Sequence, residues 1–190
     1  MDTVAHCVVN LAAIEREDRP RAQAAVLAGA LLPDAPMFLF YFVEKVMRGT
    51  SESVIWTTAY WRPEWQNAID LFNSIPLIAL GIVLSIVARA RIALLLCLSM
   101  LLHTALDLPL HHDDGHRHFY PFSDWRFESP LSYWDGHHHA DVVSVGIFLL
   151  VGAAGLLLWR TASRPTTRWI VGGLAGAYAV FFVYARWMWA

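Results

Sequence analysis

Charge is scarce in this sequence. Charged residues make up 16% of the 190 residues, and the formal net charge is -2 at pH 7. Because there is no basic excess, we do not expect nucleic acid as a partner. The first residues also lack the basic start and the small-residue cleavage site of a secretory signal, so we expect no cleavable signal peptide.

Cysteine and nucleophile motifs are scarce as well. Cys7 and Cys97 are the two cysteines, and they lie in apolar segments without the spacing of a metal site. We expect both to be small buried side chains. No Gly-x-Ser-x-Gly motif occurs, so nothing in the sequence indicates a hydrolase with a serine nucleophile.

Apolar residues, by contrast, are abundant and grouped into long runs. They make up 57% of the chain, and a helix needs about 20 mostly apolar residues to cross a bilayer. Windows of this kind occur at residues 71–88, 92–110, 142–159 and 169–184, and at 22–43 with an interruption by Pro33-Asp34-Ala35-Pro36. We predict an all-α polytopic membrane protein. It would form one domain over residues 1–190, with about five transmembrane helices plus a short N-terminal helix near residues 3–14.

The distribution of basic residues predicts an orientation. Eight of the fourteen Lys and Arg residues lie in the connections 15–21, 89–91 and 160–168, which the positive-inside rule places in the cytoplasm. The connections at about 44–70 and 111–141 would then be outer loops. We therefore expect a multi-pass protein of the bacterial inner membrane, with the lipid bilayer as its partner and its polar site facing outward.

Ionisable residues inside the apolar segments are the strongest indication of function. His6, Asp34, His103 and Asp107 all fall at depths corresponding to the outer half of the bilayer. A charge in hydrocarbon costs about 2.5–3.5 kcal/mol even on the lenient insertion scale, and such residues usually face a cavity or one another. A bound cation would explain their grouping, because it neutralises carboxylates and is ligated by imidazoles.

His103 and Asp107 are four residues apart, so both lie on one face of a helix and can hold one ion. The alternative is a hydrogen bond that fixes the packing of two helices. Asp34 lies between Pro33 and Pro36, where prolines free backbone carbonyls. It is predicted to be a ligand or base, with capping of a broken helix as the alternative.

Eight of the nine histidines lie between residues 103 and 139. Among those of the loop, His111, His112 and His116 are candidate ligands, although a His-rich tract also binds metal weakly without catalysis. Asn67, Asp70, Asn73 and Ser74 form a polar stripe at helical spacing. Either this stripe caps a helix, or Asp70 acts as an additional ligand or general base.

Several short motifs occur in a defined order. They are His6, Gly29 with Leu31-Leu32-Pro33-Asp34, His103 with Asp107, and Pro121-Phe122-Ser123. In this order they resemble a bacterial family of inner-membrane metal-dependent hydrolases, the YdjM-like group. The likeness covers roughly residues 1 to 125. The sequence departs from the family at Pro36, where a second acid is usual, and at the polar stripe, where the family carries histidines.

We therefore predict a membrane-embedded hydrolase that depends on a divalent metal. Mixed His and carboxylate ligands favour Zn²⁺, with Mn²⁺ or Fe²⁺ as alternatives. The candidate ligands are His6, Asp34, His103, Asp107, His111, His112 and His116. The metal would activate a water, Asp34 or Asp70 would take its proton, and a site near the membrane boundary favours an amphiphilic or small-molecule substrate, such as a lipid ester or phosphoester.

Two other functions agree with the same residues. A metal-ion or proton transporter would use His103, Asp107 and Asp34 as a relay, and a membrane di-iron oxygenase would use the His clusters. Gly172-x3-Gly176 in the last apolar window permits close helix packing within a chain or in a homo-oligomer.

Overall fold

The computed structural model describes residues 1–15 and 18–189, and in these residues the regular structure is helical. The principal helices are α1 (Thr3–Ile14), α2 (Pro20–Leu31), α3 (Ala35–Tyr41), α4 (Glu52–Val54), α5 (Pro63–Phe72), α6 (Ile75–Val87), α7 (Arg91–Asp107), α8 (Ala140–Thr161) and α9 (Pro165–Trp189). The prediction of an all-α fold is confirmed.

Four helical segments are long and apolar enough to cross a membrane. They are Pro63–Val87, Arg91–Leu110, Ala140–Thr161 and Pro165–Trp187. A fifth is formed by α2 and the segment Ala35–Met47 together, which are bent by 53° at a short break. The predicted membrane spans and the short N-terminal helix are therefore present. The segment Pro63–Val87 begins earlier than the predicted apolar window at residues 71–88.

Helix α1 is the centre of the fold although its 12 residues are too few to cross a membrane. It packs against α2, α7, α8 and α9, and Ala5, Val8 and Leu11 are almost completely buried. Its side chains therefore meet the other helices in the interior of the bundle. A short helix in this position delivers His6 to the middle of the protein.

The segment predicted as an outer loop at 44–70 is largely helical. It contains the π-helical turns Phe42–Met47 and Ile55–Ala59 as well as α4 and the first part of α5. The physical reason is a small second core, in which the rings of Trp56, Tyr60 and Trp65 surround the buried Phe40 at centroid distances of 6.0, 5.9 and 5.4 Å. Aromatic residues that suit an interface here pack against one another instead.

The break between α2 and α3 follows from its prolines. Pro33 has no backbone N–H, and the chain turns before α3 begins, with Pro36 in its first turn. The Asp34 N–H bonds to the Leu31 carbonyl at 3.2 Å, so the Ala30 carbonyl loses its α-helical donor. The Pro33 carbonyl accepts a hydrogen bond from Asn73 Nδ2 at 3.2 Å. Neighbouring side chains thus satisfy the freed backbone.

Helices α2 and α7 approach closely at Gly29. A Cβ atom there would lie 2.3 Å from the Leu96 carbonyl oxygen and 2.7 Å from Ser99 Cβ. Below this contact Ser99 Oγ donates to the Val26 carbonyl at 2.6 Å. Gly29 therefore permits the α2–α7 packing that brings Ala30 beside α7.

We predict that Gly29→Ala lowers the free energy of unfolding by about 1–3 kcal/mol, because the new methyl group overlaps the α7 backbone. Thermal unfolding in detergent would measure the loss. The matched control is Gly152→Ala in α8, where a Cβ would meet nothing within 4 Å. An unchanged midpoint for Gly29→Ala would contradict the close contact.

Candidate metal centre

The imidazole of His103 is oriented by the broken helix. Its Nδ1 lies 2.8 Å from the Ala30 carbonyl oxygen, the group that the break deprives of its helical donor. A carbonyl oxygen only accepts, so Nδ1 carries a hydrogen and donates. The other nitrogen, Nε2, then points away from α2 towards two carboxylates. This is the arrangement that fixes the tautomer of metal-binding histidines.

His6, His103 and Asp107 form one buried group. Asp107 Oδ1 lies 2.9 Å from His6 Nε2, and Asp107 Oδ2 lies 3.2 Å from His103 Nε2. The two imidazole rings stack with centroids 3.6 Å apart. One potential ligand atom from each residue lies within 4.8 Å of the others, so the three could hold a metal ion. Sequence positions 101 residues apart are brought together by the central placement of α1.

Two nitrogens of this group lack hydrogen-bond partners. His103 Nε2 and His6 Nδ1 are buried and unpaired, and an unsatisfied buried polar atom costs about 1–3 kcal/mol. A tetrahedral ion with bonds of about 2.0–2.1 Å places its ligand atoms roughly 3.3 Å apart. The separations around Asp107 are close to this value, and coordination would give His103 Nε2 a partner.

Asp34 borders the buried group at the wall of a cavity. Its Oδ1 lies 3.4 Å from His103 Nε2, and its Oδ2 accepts a hydrogen bond from the Thr3 hydroxyl. Unlike Asp107, whose Oδ1 also contacts the N-terminal ammonium group of Met1, Asp34 is partly exposed. It is therefore the carboxylate of this group that a molecule in the cavity can reach.

The loop histidines differ in their surroundings. His111 lies between two carboxylates, with Nε2 3.7 Å from Asp107 Oδ2 and Nδ1 2.9 Å from Asp114 Oδ2. Burial lowers its pKa, but hydrogen bonding to these two carboxylates outweighs burial and raises the pKa of His111 to about 9. For His116, burial and then the charge of His111 lower the pKa to about 4. His116 is thus a neutral imidazole at pH 7, with Nδ1 3.8 Å from Asp70 Oδ1.

His112 lies outside the buried group. Its ring stacks on His138 at 3.6 Å, and its Nδ1 lies 2.6 Å from the Ser129 carbonyl oxygen. These contacts order the loop. His118 was not among the predicted ligands, yet it is almost completely buried and neither ring nitrogen has a partner. The only indication of a role for His118 in the sequence is its position in the His-rich loop.

Asp70 is bound by Arg117, a residue that the sequence analysis did not identify. The backbone N–H and Nε of Arg117 donate to the two Asp70 oxygens at 3.1 and 2.5 Å, and Nη2 donates to Asn67 Oδ1 at 2.6 Å. Ser74 caps α6 by accepting from the Leu77 N–H and donates to the Tyr120 carbonyl. The polar stripe therefore anchors the His-rich loop to α5 and α6.

A cavity of about 850 Å³ opens beside the buried group. Asp34, Asp107, His111 and His116 are among the residues on its wall, whereas His6 and His103 are fully buried behind it. Further inside, Asn10 Nδ2 donates to both the carbonyl and the hydroxyl oxygen of Ser99 at 2.9 Å. The cavity thus borders the group on one side, next to the C-terminal ends of α2 and α7.

Comparison with known proteins identified no relative. A scan of protein-family models, a search of curated proteins and a search of solved structures each found no match to this chain. The resemblance to the YdjM-like group stays a prediction that depends on the short motifs.

We predict that Arg117→Leu destabilises the protein by about 3 kcal/mol, because it leaves the buried Asp70 carboxylate without its main partner. Thermal unfolding and limited proteolysis within residues 111–139 would measure the effect. The matched control is Asp124→Asn, which removes a highly exposed partner of the same arginine and should cost less than about 1 kcal/mol. Equal effects of the two changes would contradict the anchoring role.

Proposed function

We propose that this chain is a metal-dependent hydrolase of the bacterial inner membrane, with a site that faces outward and acts on an ester or phosphoester at the membrane boundary. The observation that carries the proposal is the unpaired His103 Nε2, which the Ala30 carbonyl directs at Asp107 and Asp34 beside a large cavity.

The donor set favours Zn²⁺, with Mn²⁺ or Fe²⁺ as alternatives. Two imidazoles and a carboxylate match the three protein ligands of catalytic zinc sites, which keep a further position open. Ca²⁺ and Mg²⁺ prefer all-oxygen shells. The open position would face the cavity, because Asp107 lines the cavity while the two histidines lie behind it.

Asp34 is the best-placed general base. A bound divalent cation would lower the pKa of its water towards roughly 7 and stabilise the developing oxyanion. Asp34 would accept the proton as the water oxygen bonds to the carbonyl carbon or phosphorus, and would return it to the leaving oxygen as the ester bond breaks. Asp70, the other predicted base, is fully buried and held by Arg117. Its role in this proposal is to anchor the loop, and not to accept a proton.

Charge distribution supports the outward orientation. Asp18 accepts hydrogen bonds from Ser163 and from the Arg164 backbone, so two of the basic connections meet at one end of the bundle. The cavity lies at the other end, among residues such as Thr3, Trp56 and Tyr133. With the basic end in the cytoplasm, the cavity faces outward.

The alternatives gain less support. A transporter needs access from both sides in turn, and the Asn10–Ser99 hydrogen bonds and apolar neighbours such as Val8 and Val26 close the inner side. A di-iron centre needs a second set of ligands. Within residues 1–15 and 18–189, one group of at least three clustered ligand atoms was found.

We predict about one equivalent of transition metal per chain in the purified protein. His103→Ala and Asp107→Asn should each weaken metal binding at least tenfold, because each removes a donor or its charge. The matched control is His137→Ala, an exposed histidine of the outer loop, which should retain the metal. Elemental analysis after dialysis against a chelator is the measurement. Metal-free wild type, or undiminished metal in both variants, would contradict the proposal.

We predict that Asp34→Asn lowers kcat about 10²-fold or more while the metal is retained, because the amide cannot accept the proton. Hydrolysis of p-nitrophenyl butyrate and bis(p-nitrophenyl) phosphate, with and without added Zn²⁺, would measure it. Cys97→Ser, in α7 but outside the buried group, should keep wild-type turnover. Unchanged kcat in Asp34→Asn would remove Asp34 from the reaction, and ion flux into liposomes without any hydrolysis would favour the transporter.

A further inference from the structure

The charge of the cavity wall bears on what the cavity binds. Five carboxylates line it: Asp2, Asp34, Asp107, Asp113 and Asp114. Among the residues that the structure describes, no lysine or arginine side chain lines it. A divalent ion and the N-terminal ammonium group, which contacts Asp107, would together carry three positive charges, fewer than the five carboxylates carry. A wholly anionic ligand would therefore enter an unfavourable field.

The cavity also holds polar atoms that have no partner in the protein. His116 is 7% exposed and lines the cavity, and its Nδ1 forms no hydrogen bond. Asp114 Oδ1 is likewise buried and unpaired, while Asp114 Oδ2 accepts from Trp134 Nε1 at 2.9 Å. Buried acceptors of this kind are satisfied by a donor or a cation from outside the chain.

Aromatic side chains form much of the remaining wall. Trp56 and Trp134 are 45% and 54% exposed and line the cavity. Trp61 also lines it, but the Arg126 guanidinium already lies 5.8 Å from the centroid of its ring. The face of an aromatic ring attracts a cation within about 6 Å of its centroid. Acidic and aromatic groups together are the surroundings that favour a substituted ammonium group.

A second cavity offers space for an apolar chain. It has a volume of about 670 Å³ and shares Asp2, Tyr133 and Trp134 with the first cavity. It continues along Ile147 and Phe182 of α8 and α9, and the ion pair of Asp141 and Arg186 also lines it. A ligand with a polar head in the first cavity could therefore extend an aliphatic chain into the second. The two adjoining cavities thus give the headgroup and the chain of an amphiphile separate spaces.

We propose that the cavity binds an amphiphile whose headgroup carries a positively charged amine or quaternary ammonium. As an assignment of substrate class this rests on the proposed hydrolase function. A headgroup of this class places its cation near Asp113, Asp114 and the tryptophans, and leaves its ester or phosphoester bond towards Asp34 and Asp107. The positive charge of the headgroup thus determines which ligand binds, and the buried group of His6, His103 and Asp107 acts on it.

Binding of two matched probes tests the proposal without any turnover. Hexyltrimethylammonium and hexyl sulfate have the same chain and opposite headgroup charge. Isothermal titration calorimetry in an uncharged maltoside detergent, corrected for heats into empty micelles, should show at least tenfold tighter binding of the ammonium probe. Hexyl glucoside should bind with intermediate affinity. Equal binding of the two charged probes, or tighter binding of hexyl sulfate, would overturn the proposal.

Variants test whether the preference for the ammonium probe depends on the acidic residues of the cavity wall. Asp113→Asn with Asp114→Asn should reduce the preference for the ammonium probe about fivefold, because two of the wall charges are lost. Asp113→Asn alone, at an exposed position, should reduce it about twofold and covers the case in which the double variant does not fold. Glu128→Gln, an exposed acid of the same loop, removes one charge elsewhere and should leave it unchanged. An unchanged preference in both cavity variants would overturn the proposal.

His103→Ala separates this proposal from the hydrolase function. This variant should lose metal and hydrolysis but keep or increase the preference for the ammonium probe, because the cavity loses positive charge with the ion. Loss of the preference in His103→Ala would contradict selection by Asp113 and Asp114. If the preference is retained while the wild type contains no metal, the hydrolase function is contradicted, and the site for a cationic headgroup is still supported.

Discussion

The hydrogen bond from His103 to the Ala30 carbonyl is the interaction on which the candidate centre depends. Ala30 would pair with the Asp34 N–H in an unbroken helix. Because the chain turns there, the carbonyl needs another donor in a region where water is excluded. His103 supplies it and is thereby fixed with Nε2 towards Asp107. The same break carries Asp34 to the cavity wall, so one local irregularity positions both a candidate ligand and a candidate base.

A second constraint holds the loop side of this candidate centre in place. Arg117 joins Asp70 and Asn67 of α5 to the loop that carries His111 and His116. The carboxylate that sequence reasoning assigned to chemistry is therefore used to fix the loop, and the loop in turn places its histidines over the cavity. Removal of this anchor would affect the entrance to the site before it affected the buried group, because His6 and His103 depend on helix contacts alone.

The features that could be predicted from the sequence are those that depend on local composition and spacing. Apolar length identified the membrane spans, and four-residue spacing together with depth singled out His103 and Asp107. The sequence did not identify Arg117, because the pairing of an arginine with an acid 47 positions away leaves no periodic signal. Nor did it indicate that residues 44–70 are mostly helical, since π-helical turns form there around Phe40 through contacts that only the folded chain makes.

The central position of α1 limits the groups that can pair with His6. A short helix enclosed by α2, α7, α8 and α9 meets no water, so His6 can pair only with groups that other helices deliver. Asp107 accepts from it, yet His103 Nε2 faces the same carboxylate and Asp34. With its hydrogen on Nδ1, His103 presents the lone pair of Nε2 to carboxylate oxygens, and this contact is unfavourable unless a proton or a cation lies between them. A bound cation would supply that charge, and the stability of the bundle interior would then depend on the occupant of the site.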